Sequence, residues 1–281
     1  MNGATLIVPT YNRPGELMLC LRSLVRQSVL PGEVILADDG SGEETRRAVR
    51  EFAASPGCPF PVRHVWQEDI GFRKPRILNE AVRNATGEYL IFLDGDCMAH
   101  RHFVREHLRC AGPEWILGGK RVELGRELSA RLLARGELVT GFTFRLLLDC
   151  LAGSTRRGEE AIRLRTPFVR RLLRRDRIAD DGIWGCNFSI PRELFYRING
   201  CDEDFLDGSI EDNDLGIRVL NSGGQVRSVR ALAVVFHLWH PPSWDFQGEK
   251  YLRNCRILGR RIANRETRCG NGIAPRDGGA V

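Results

Sequence analysis

Short apolar runs alternate with stretches of helical periodicity in the N-terminal part of the chain. The apolar runs are rich in β-branched side chains and are bounded by glycine, proline or aspartate, which is typical of buried strands. Between them, apolar side chains recur every three or four residues, as on one face of a helix. The alternation predicts an α/β fold, a doubly wound, mostly parallel, Rossmann-like sheet with helices on both faces. The predicted strands cover residues 4–8, 33–37, 62–66 and 89–93, and the predicted helices begin at Pro14, at residue 42 after a Ser41–Glu44 capping box, and at Pro75.

Polar side chains follow three of these strands at their carboxyl ends. They are Thr10 to Arg13, then Asp38 and Asp39, then Asp94 and Asp96. Open α/β sheets bind ligands at this edge, although Asp38 and Asp39 also suit the capping of the next helix. No Gly-x-Gly-x-x-Gly follows the first strand and no P-loop motif occurs. A dinucleotide site and a P-loop are therefore disfavoured.

The run Tyr89 to Leu93 ends abruptly in Asp94-Gly95-Asp96, an Asp-x-Asp motif. Carboxylates at the end of a buried strand are costly unless a positive group meets them. Two carboxylates at this spacing can hold one hard cation, which commonly bridges to substrate phosphates. The alternative is an Asp-Gly turn with solvated carboxylates.

Composition narrows the class of protein. The chain has 281 residues, 42% hydrophobic and 28% charged, which allows a sizeable core. The net charge of +6 permits nucleic acid, an anionic membrane or phosphate-bearing ligands as partners. Nine scattered cysteines without a Cys-x-x-Cys favour reduced thiols. No apolar run is long enough to span a bilayer and the N-terminus does not resemble a signal peptide, so we expect a cytoplasmic protein.

Residues 121–180 are dense in arginine and predict a basic helical insertion. The segment Thr166 to Arg177 has the pattern of a basic amphipathic helix. Such a helix suits an anionic membrane surface or, equally, the solvated face of an ordinary packed helix. Single-stranded nucleic acid is disfavoured because the segment is poor in the aromatic side chains on which bases stack.

The chain becomes regular again after the insertion. Residues 182–190 predict a strand with two glycines, and the acidic stretch 202–214 precedes a helical pattern. A strand over 231–236 ends at His237, with His240 three residues later. Either histidine is a candidate metal ligand or a structural histidine. A basic helix is expected over 246–264, followed by a glycine-rich, frayed tail.

The order of these motifs resembles the family 2 glycosyltransferases of the GT-A fold, and the C-terminal half resembles that of galactosyltransferases and chondroitin-polymerase-type enzymes. The resemblance covers about residues 1–120 and 180–240. The expected domains are 1–120 for the nucleotide sugar, 121–180 for the insertion, 181–245 for acceptor and catalysis, and 246–281 for the helix and tail. The resemblance rests on Val8-Pro9-Thr10-Tyr11-Asn12-Arg13, Ala37-Asp38-Asp39-Gly40-Ser41, Asn79, Gly87-Glu88-Tyr89, Leu93-Asp94-Gly95-Asp96, Trp184-Gly185-Cys186-Asn187-Phe188 and Ile210-Glu211-Asp212-Asn213-Asp214-Leu215.

The resemblance implies a role for each matching residue. Asp212 would be the catalytic base, and Glu211, Trp184 and Asn187 would hold the acceptor and the sugar. Asp96 and His237, with Asp94, would hold Mn²⁺ or Mg²⁺, and His240 is the second choice for the histidine. The expected nucleotide-binding residues are Pro9, Thr10, Tyr11, Arg13, Asp39, Arg73, Lys74 and Asp94.

The expected reaction is transfer of a hexosyl or N-acetylhexosaminyl group from a UDP-sugar to a hydroxyl of a glycan or lipid-linked acceptor. A single displacement would invert the configuration of the anomeric carbon. The expected pathway is polysaccharide or lipopolysaccharide biosynthesis at the inner face of a membrane. One alternative is a sugar nucleotidyltransferase, which wants a glycine-rich loop after the first strand. Another is a non-catalytic basic module for nucleic acid, which would not need Asp94, Asp96, Asp212 and His237.

Overall fold

A computed structural model describes residues 3–178, 182–207, 210–241 and 248–274. The strands are β1 (Thr5–Thr10), β2 (Glu33–Asp38), β3 (Val62–Trp66), β4 (Tyr89–Phe92), β5 (Cys97–Ala99), β6 (Trp115–Gly118), β7 (Val122–Glu123), β8 (Phe188–Pro191), β9 (Gln225–Ser228) and β10 (Val235–His237). The helices are α1 (Pro14–Val25), α2 (Glu43–Ala54), α3 (Lys74–Arg83), α4 (Phe103–Cys110), α5 (Arg126–Arg135), α6 (Phe144–Leu151), α7 (Pro167–Leu172), α8 (Arg192–Arg197), α9 (Glu211–Asn221) and α10 (Glu249–Ala263), with a 3₁₀ turn over Gly158–Ala161.

The main sheet has seven strands in the order β3-β2-β1-β4-β8-β6-β9. Only β8 runs antiparallel to its neighbours, so the sheet is mostly parallel. The first four strands in this order are parallel, and their carboxyl ends therefore share one edge. The sheet predicted from the alternating pattern is confirmed.

Successive side chains of the central strands face opposite layers of helix. Val8 packs in one apolar cluster with Leu17 and Leu21 of α1. Ile7 packs in a second cluster with Ile77 of α3 on the other face. Each strand is buried on both sides, which explains why its sequence is apolar throughout rather than alternating.

A second sheet has the order β5-β10-β7 and joins the insertion to the rest of the molecule. β7 lies inside the expected insertion, yet it pairs with β10 near the C-terminus. Leu128, Leu132 and Leu146 of α5 and α6 pack on Met98 and Phe236 in a third apolar cluster. The insertion is therefore helical, as predicted, and is anchored by an apolar cluster that it shares with β5 and β10.

Several local predictions need correction. Gly42 precedes α2 without a side-chain cap, because the Ser41 hydroxyl accepts a hydrogen bond from the Asn12 amide instead of forming a capping box. The helix predicted over 166–177 ends at Leu172, two residues before Arg174 takes a positive φ of 53°. The strand predicted over 182–190 begins only at Phe188, and that over 231–236 is the short β10.

The C-terminal helix forms as α10, and residues 275–281 of the expected tail lie outside the described part of the chain. All nine cysteines are free thiols in the structure. Within the described residues, no helix is long and apolar enough to cross a membrane.

A buried ion network ties α9 to α10. The Arg261 guanidinium donates to Asp214 Oδ1 at 2.8 Å and also to Asp202. Asp214 Oδ2 accepts a hydrogen bond of 2.7 Å from Arg218 Nε. All four side chains are buried. Because α9 begins at Glu211, this network holds in place the helix that carries Glu211 and Asp212.

Replacement of Arg261 by methionine is expected to lower the free energy of unfolding by about 3 to 5 kcal/mol, because buried Asp202 loses its guanidinium partner and buried Asp214 keeps only Arg218. Urea unfolding measures the change. Arg260→Met is the matched control, since exposed Arg260 pairs with Glu266 at 3.3 Å and such surface pairs contribute less than about 1 kcal/mol. Equal losses in the two variants would contradict a structural role for the network.

Candidate active site

A cavity of about 630 Å³ opens at the carboxyl ends of β1, β2 and β4. The structure brings together side chains from both halves of the chain, which lie far apart in the sequence; the predicted site residues that line the cavity are Pro9, Thr10, Tyr11, Arg13, Asp39, Lys74, Asp94, Asp96, Trp184, Glu211, Asp212, His237 and His240. Arg73 and Asn187 are the two predicted residues that do not line it.

Asp39 directly follows β2 and lines the cavity. Its Oδ2 accepts a 2.9 Å hydrogen bond from the Arg73 amide, and Gln67 binds Oδ1. Burial raises the pKa of Asp39, and these hydrogen bonds oppose the shift. Arg73 therefore braces Asp39 through its backbone, while its guanidinium turns to the Glu68 carbonyl. This corrects the expectation that Arg73 lines the nucleotide pocket.

The two candidate aspartates of β2 have separate roles. Asp38 is fully buried and accepts a 2.7 Å hydrogen bond from the Ser41 amide. Its other oxygen lies 2.8 Å from His64 Nε2. Asp38 thus shapes the turn after β2, and Asp39 is the one that faces the cavity.

Asp96, His237 and His240 converge in the lining of the cavity. Asp96 Oδ2 lies 3.5 Å from His237 Nε2 and 3.3 Å from His240 Nε2. The convergence follows from strand pairing, because His237 on β10 stands opposite Cys97 on β5, directly after Asp96. Both histidines, rather than one of them, lie beside Asp96.

These three side chains fit a divalent cation. One ligand atom from each lies within 4.8 Å of the other two. Ligands about 2.1 Å from a shared octahedral ion lie about 3 Å apart, so small rotations would complete the set. A set of one carboxylate and two imidazoles suits Mn²⁺ better than Mg²⁺, which prefers oxygen alone.

The electrostatics of Asp96 already resemble those of a cation site. Burial alone would raise the pKa of its carboxyl, but His237 and His240 together hold the pKa well below its usual range. The hydrogen bond to Asp96 raises the pKa of His240 in return. The Arg13 guanidinium adds a permanent positive charge, 3.4 Å from Asp96 Oδ2.

Lys74 connects the Asp-x-Asp motif to the start of α9. Its Nζ lies 3.1 Å from Asp94 Oδ1 and 3.7 Å from Glu211 Oε1. Burial disfavours the ammonium charge, yet Asp94, Glu211 and Asp212 outweigh that effect and raise the pKa of Lys74. Asp94 therefore meets Lys74 in this structure, and Asp96 meets the histidines.

Asp212 is held at the first turn of α9, facing the cavity. The Gly185 amide donates a hydrogen bond to its Oδ2. A Cβ at position 185 would lie 3.0 Å from that oxygen, so glycine permits the close approach. Burial raises the pKa of Asp212, opposed by Lys74. Burial and the neighbouring Asp212 charge raise the pKa of Glu211 to about 8. Raised values suit a carboxylate that removes a proton.

These shifts predict the pH dependence of any reaction in which Asp212 acts as base. The base works unprotonated, so activity falls as the pH drops through the raised pKa values of Glu211 and Asp212. Lys74→Met should move this acidic limb to higher pH, because the ammonium opposes protonation of both carboxylates. The measurement is kcat/KM against pH, and the matched control is Arg76→Met, an exposed cation on the same helix. An unshifted limb in Lys74→Met would refute the coupling.

Trp184 lines the cavity between cationic side chains. Lys120 Nζ lies 3.9 Å and the Arg157 guanidinium carbon 4.6 Å from the centre of its ring. Arg121 and Glu123 also line this wall, and Glu123 pairs with Arg157 at 3.7 Å. Arg121, Glu123 and Arg157 are site residues that sequence reasoning missed. The only signal was the density of arginine in the insertion, which does not single out any position.

Asn187 lies inside the protein rather than in the cavity. Its amide nitrogen donates to the carbonyls of Lys120 and Ala233, both at 2.9 Å. Its amide oxygen lies 3.1 Å from His107 Nε2, and burial lowers the pKa of His107 to about 4. All polar atoms of the Asn187 amide are occupied, so it ties β8 to two neighbouring segments. This corrects its expected contact with the sugar or acceptor.

Two parts of the chain match models of known protein families. Residues 5–113 match the family model of glycosyl transferase family 2. Residues 175–241 match a model described as the N-terminal domain of galactosyltransferase. The two matches leave most of the insertion uncovered.

Curated relatives are glycosyltransferases as well. The chain is 28% identical over 245 residues to validoxylamine A glucosyltransferase of Streptomyces hygroscopicus subsp. limoneus, covering 76% of this chain and 47% of the relative. It is 25% identical over 257 residues to chondroitin synthase of Escherichia coli, covering 89% of this chain and 36% of the relative. The chain thus spans about half, or less, of the length of these relatives.

Solved structures share the fold at low sequence identity. GalNAc-T7 with UDP, GalNAc and Mn²⁺ superposes with a TM-score of 0.59 at 16% identity, covering 92% of this chain and 49% of that one. The mannosyltransferase PcManGT from Pyrobaculum calidifontis, in complex with GDP-Man and Mn²⁺, has a TM-score of 0.57 at 18% identity and covers 94% and 68%. Residues 5–113 of the chain therefore resemble glycosyl transferase family 2, and the chain as a whole shares the GT-A fold of these solved structures.

Proposed function

We propose that the protein is an inverting, metal-dependent glycosyltransferase that moves a sugar from a UDP-sugar to a hydroxyl of a glycan or lipid-linked acceptor. The observation that carries the proposal is the pairing of two chemically different sites in one cavity. Asp96, His237 and His240 form a candidate cation site, and Asp212 is a separate, half-buried carboxylate with a raised pKa. A transferase needs one site for the leaving diphosphate and another for the attacking hydroxyl.

The donor would lie along the edge of the sheet. Asp39 is fixed by Gln67 and Arg73 so that it can accept from an N–H edge of a base. Tyr11 and Arg13 line the same side of the cavity, and Arg13 is the cation nearest to Asp96. UDP is the nucleotide in the complexes of GalNAc-T7 and of Staphylococcus aureus TarS, whereas PcManGT holds GDP-Man. These neighbours support a nucleoside diphosphate, and we infer uridine from the TarS and GalNAc-T7 complexes.

The reaction would be a single displacement at the anomeric carbon. The acceptor oxygen forms a bond to that carbon as its bond to the diphosphate oxygen breaks, and Asp212 takes the hydroxyl proton. Attack from the face opposite the leaving group inverts the configuration. A bound Mn²⁺ would stabilise the charge that develops on the departing diphosphate. Lys74, between Asp94 and Glu211, would keep the two acidic groups from repelling each other.

The cationic side chains around Trp184 lie on the same side of the cavity as Asp212. Trp184 directly precedes Gly185, whose amide donates a hydrogen bond to the Asp212 carboxylate. We infer that Trp184 and Glu211 shape the acceptor end of the cavity. Cell-surface polysaccharide or lipopolysaccharide intermediates are acceptors of the expected kind, and a lipid-linked one would bring a cytoplasmic enzyme to the inner face of a membrane.

Nucleotide binding tests the proposal directly. Calorimetry with UDP, GDP and dTDP should show binding of UDP that requires Mn²⁺ and is lost in EDTA. Asp39→Asn should weaken UDP binding more than Mn²⁺ binding, since Asp39 is not one of the three converging side chains. Asp38→Asn is unsuitable as a control because Asp38 is fully buried, and exposed Asp204→Asn serves instead. Absence of nucleotide binding with and without Mn²⁺ would refute the function.

A further inference from the structure

Helix α6 turns an apolar stripe toward solvent. Phe144, Leu147, Leu148 and Leu151 occupy positions i, i+3, i+4 and i+7, and all four are exposed, Phe144 by 73% and Leu151 by 76%. The opposite side of the helix is anchored by buried Leu146. An amphipathic helix on a globular protein normally turns such a stripe to the core. The stripe on α6 therefore has no partner among the described residues.

Helix α7 has the same property. None of its side chains is buried, and Phe168 and Leu172 are 73% and 69% exposed. Of the 21 large apolar side chains that are exposed in the described part of the chain, nine lie between residues 142 and 173. Such a concentration of apolar surface is unusual on a globular protein and marks an interaction site.

The arginines of the insertion fall into two groups. Arg163 and Arg175 face inward and pair with Glu106 at 2.8 Å and with Glu160 at 2.5 Å. The second group is exposed, and no carboxylate in the described residues forms an ion pair with its members; it consists of Arg165, Arg171, Arg174 and Arg177. All four lie in α7 or within five residues of it along the chain.

We propose that the exposed apolar and arginine side chains of residues 142–177, the α6–α7 face, dock on an anionic lipid bilayer. The apolar side chains would enter the boundary between headgroups and acyl chains, and the guanidiniums would meet lipid phosphates. An arginine-rimmed apolar surface complements a negatively charged bilayer better than a second copy of itself, because two such faces would repel. Only the link between docking and a lipid-linked acceptor rests on the proposed function. Docking itself is inferred from the exposed apolar and arginine side chains.

The α6 and α7 helices are held to one another through the 3₁₀ turn Gly158–Ala161. Cys150 of α6 packs against Gly158, and Glu160 in the turn binds Arg175 just beyond α7. The insertion is also connected to the active site, because Arg121, Glu123 and Arg157 line the cavity. Docking through this insertion would thus keep the cavity at the bilayer surface, where a lipid-linked acceptor is found.

Co-sedimentation with vesicles tests the proposal. The full chain is mixed with vesicles of phosphatidylcholine, with or without phosphatidylglycerol, at low and high salt. Binding should require phosphatidylglycerol and fall with salt. Arg171→Gln/Arg174→Gln should weaken it by about 25-fold, since each basic side chain near an anionic surface contributes about fivefold. Phe168→Ser and Phe144→Ser should each weaken it severalfold.

The controls separate a docking face from general charge. Arg47→Gln/Arg256→Gln removes the same charge from exposed positions on α2 and α10, and Leu220→Ser removes an exposed apolar side chain from α9. Neither should alter vesicle binding. Equal losses in control and test variants would overturn the proposal. So would concentration-dependent self-association in sedimentation velocity that Phe144→Ser abolishes, because a second copy would then be the occupant.

The proposed function is tested separately, by measuring UDP binding in the same protein samples. UDP binding in Mn²⁺ should be unchanged in the α6–α7 variants, because none of the altered side chains lines the cavity. Vesicle binding without UDP binding would refute the transferase and leave the docking face. UDP binding without vesicle binding would refute the docking face and leave the transferase.

Discussion

Asp212→Asn is expected to lower kcat by about a thousandfold while leaving the Kd of UDP in Mn²⁺ nearly unchanged. The amide cannot take the acceptor proton, but it keeps the size of the carboxylate and its hydrogen bond from the Gly185 amide is weakened rather than lost. The cation site is formed by other side chains, Asp96, His237 and His240, so donor binding has no reason to fail. Initial rates of UDP release with saturating donor and acceptor measure kcat, and calorimetry measures the Kd.

Two controls accompany this variant. Glu211→Gln removes the neighbouring carboxylate, which pairs with Lys74 and is not the proposed base, so a smaller loss of kcat is expected. Asp204→Asn changes an exposed carboxylate outside the cavity and should leave kcat unaltered. Retention of more than about a tenth of the activity by Asp212→Asn would show that another group is the base.

Asp96→Ala is expected to weaken Mn²⁺ binding by about 100-fold or more, and with it the binding of UDP. Asp96 is the sole carboxylate of the three converging side chains, and without it the Arg13 guanidinium, which lies 3.4 Å from Asp96 Oδ2, would be left to repel a cation. Titration of Mn²⁺ by electron paramagnetic resonance, without nucleotide, measures the effect on the metal alone.

Asp69→Asn is the matched control for Asp96→Ala. Asp69 also lines the cavity, but its carboxylate binds the Tyr11 hydroxyl at 2.8 Å and is not among the converging ligands. It should retain Mn²⁺ affinity. Similar losses in both variants would mean that the cavity attracts Mn²⁺ by its overall charge rather than by a defined ligand set.

The general architecture could be predicted from the sequence for a simple reason. Strands buried on both faces must be apolar throughout, as in Tyr89–Phe92, and the helices between them show their own periodicity. Once the strands are parallel, their carboxyl ends meet at one edge. The acidic residues that follow the strands are therefore enough to predict that Asp39, Asp94 and Asp96 lie along one edge of the sheet.

Contacts between the two halves of the chain depended on the tertiary structure. His237 and His240 reach Asp96 because β10 pairs with β5, and no local pattern specifies the pairing of two three-residue strands so far apart in sequence. The amide of Gly185 and the carboxylate of Asp212 meet for the same kind of reason. Local sequence equally could not show that Asn187 turns inward to His107.

The sequence by itself determined the fold class, the chemistry at the strand ends and the family resemblance, since these follow from short-range patterns of apolar and acidic residues. Only the tertiary structure decided which charges pair and which stay free. Nothing in the local sequence distinguishes Arg163 from Arg171, since both lie in the same basic stretch. In the structure Arg163 pairs with Glu106, whereas Arg171 faces solvent. Long-range packing decides between these outcomes, because the stability of each charge depends on what the rest of the chain places beside it.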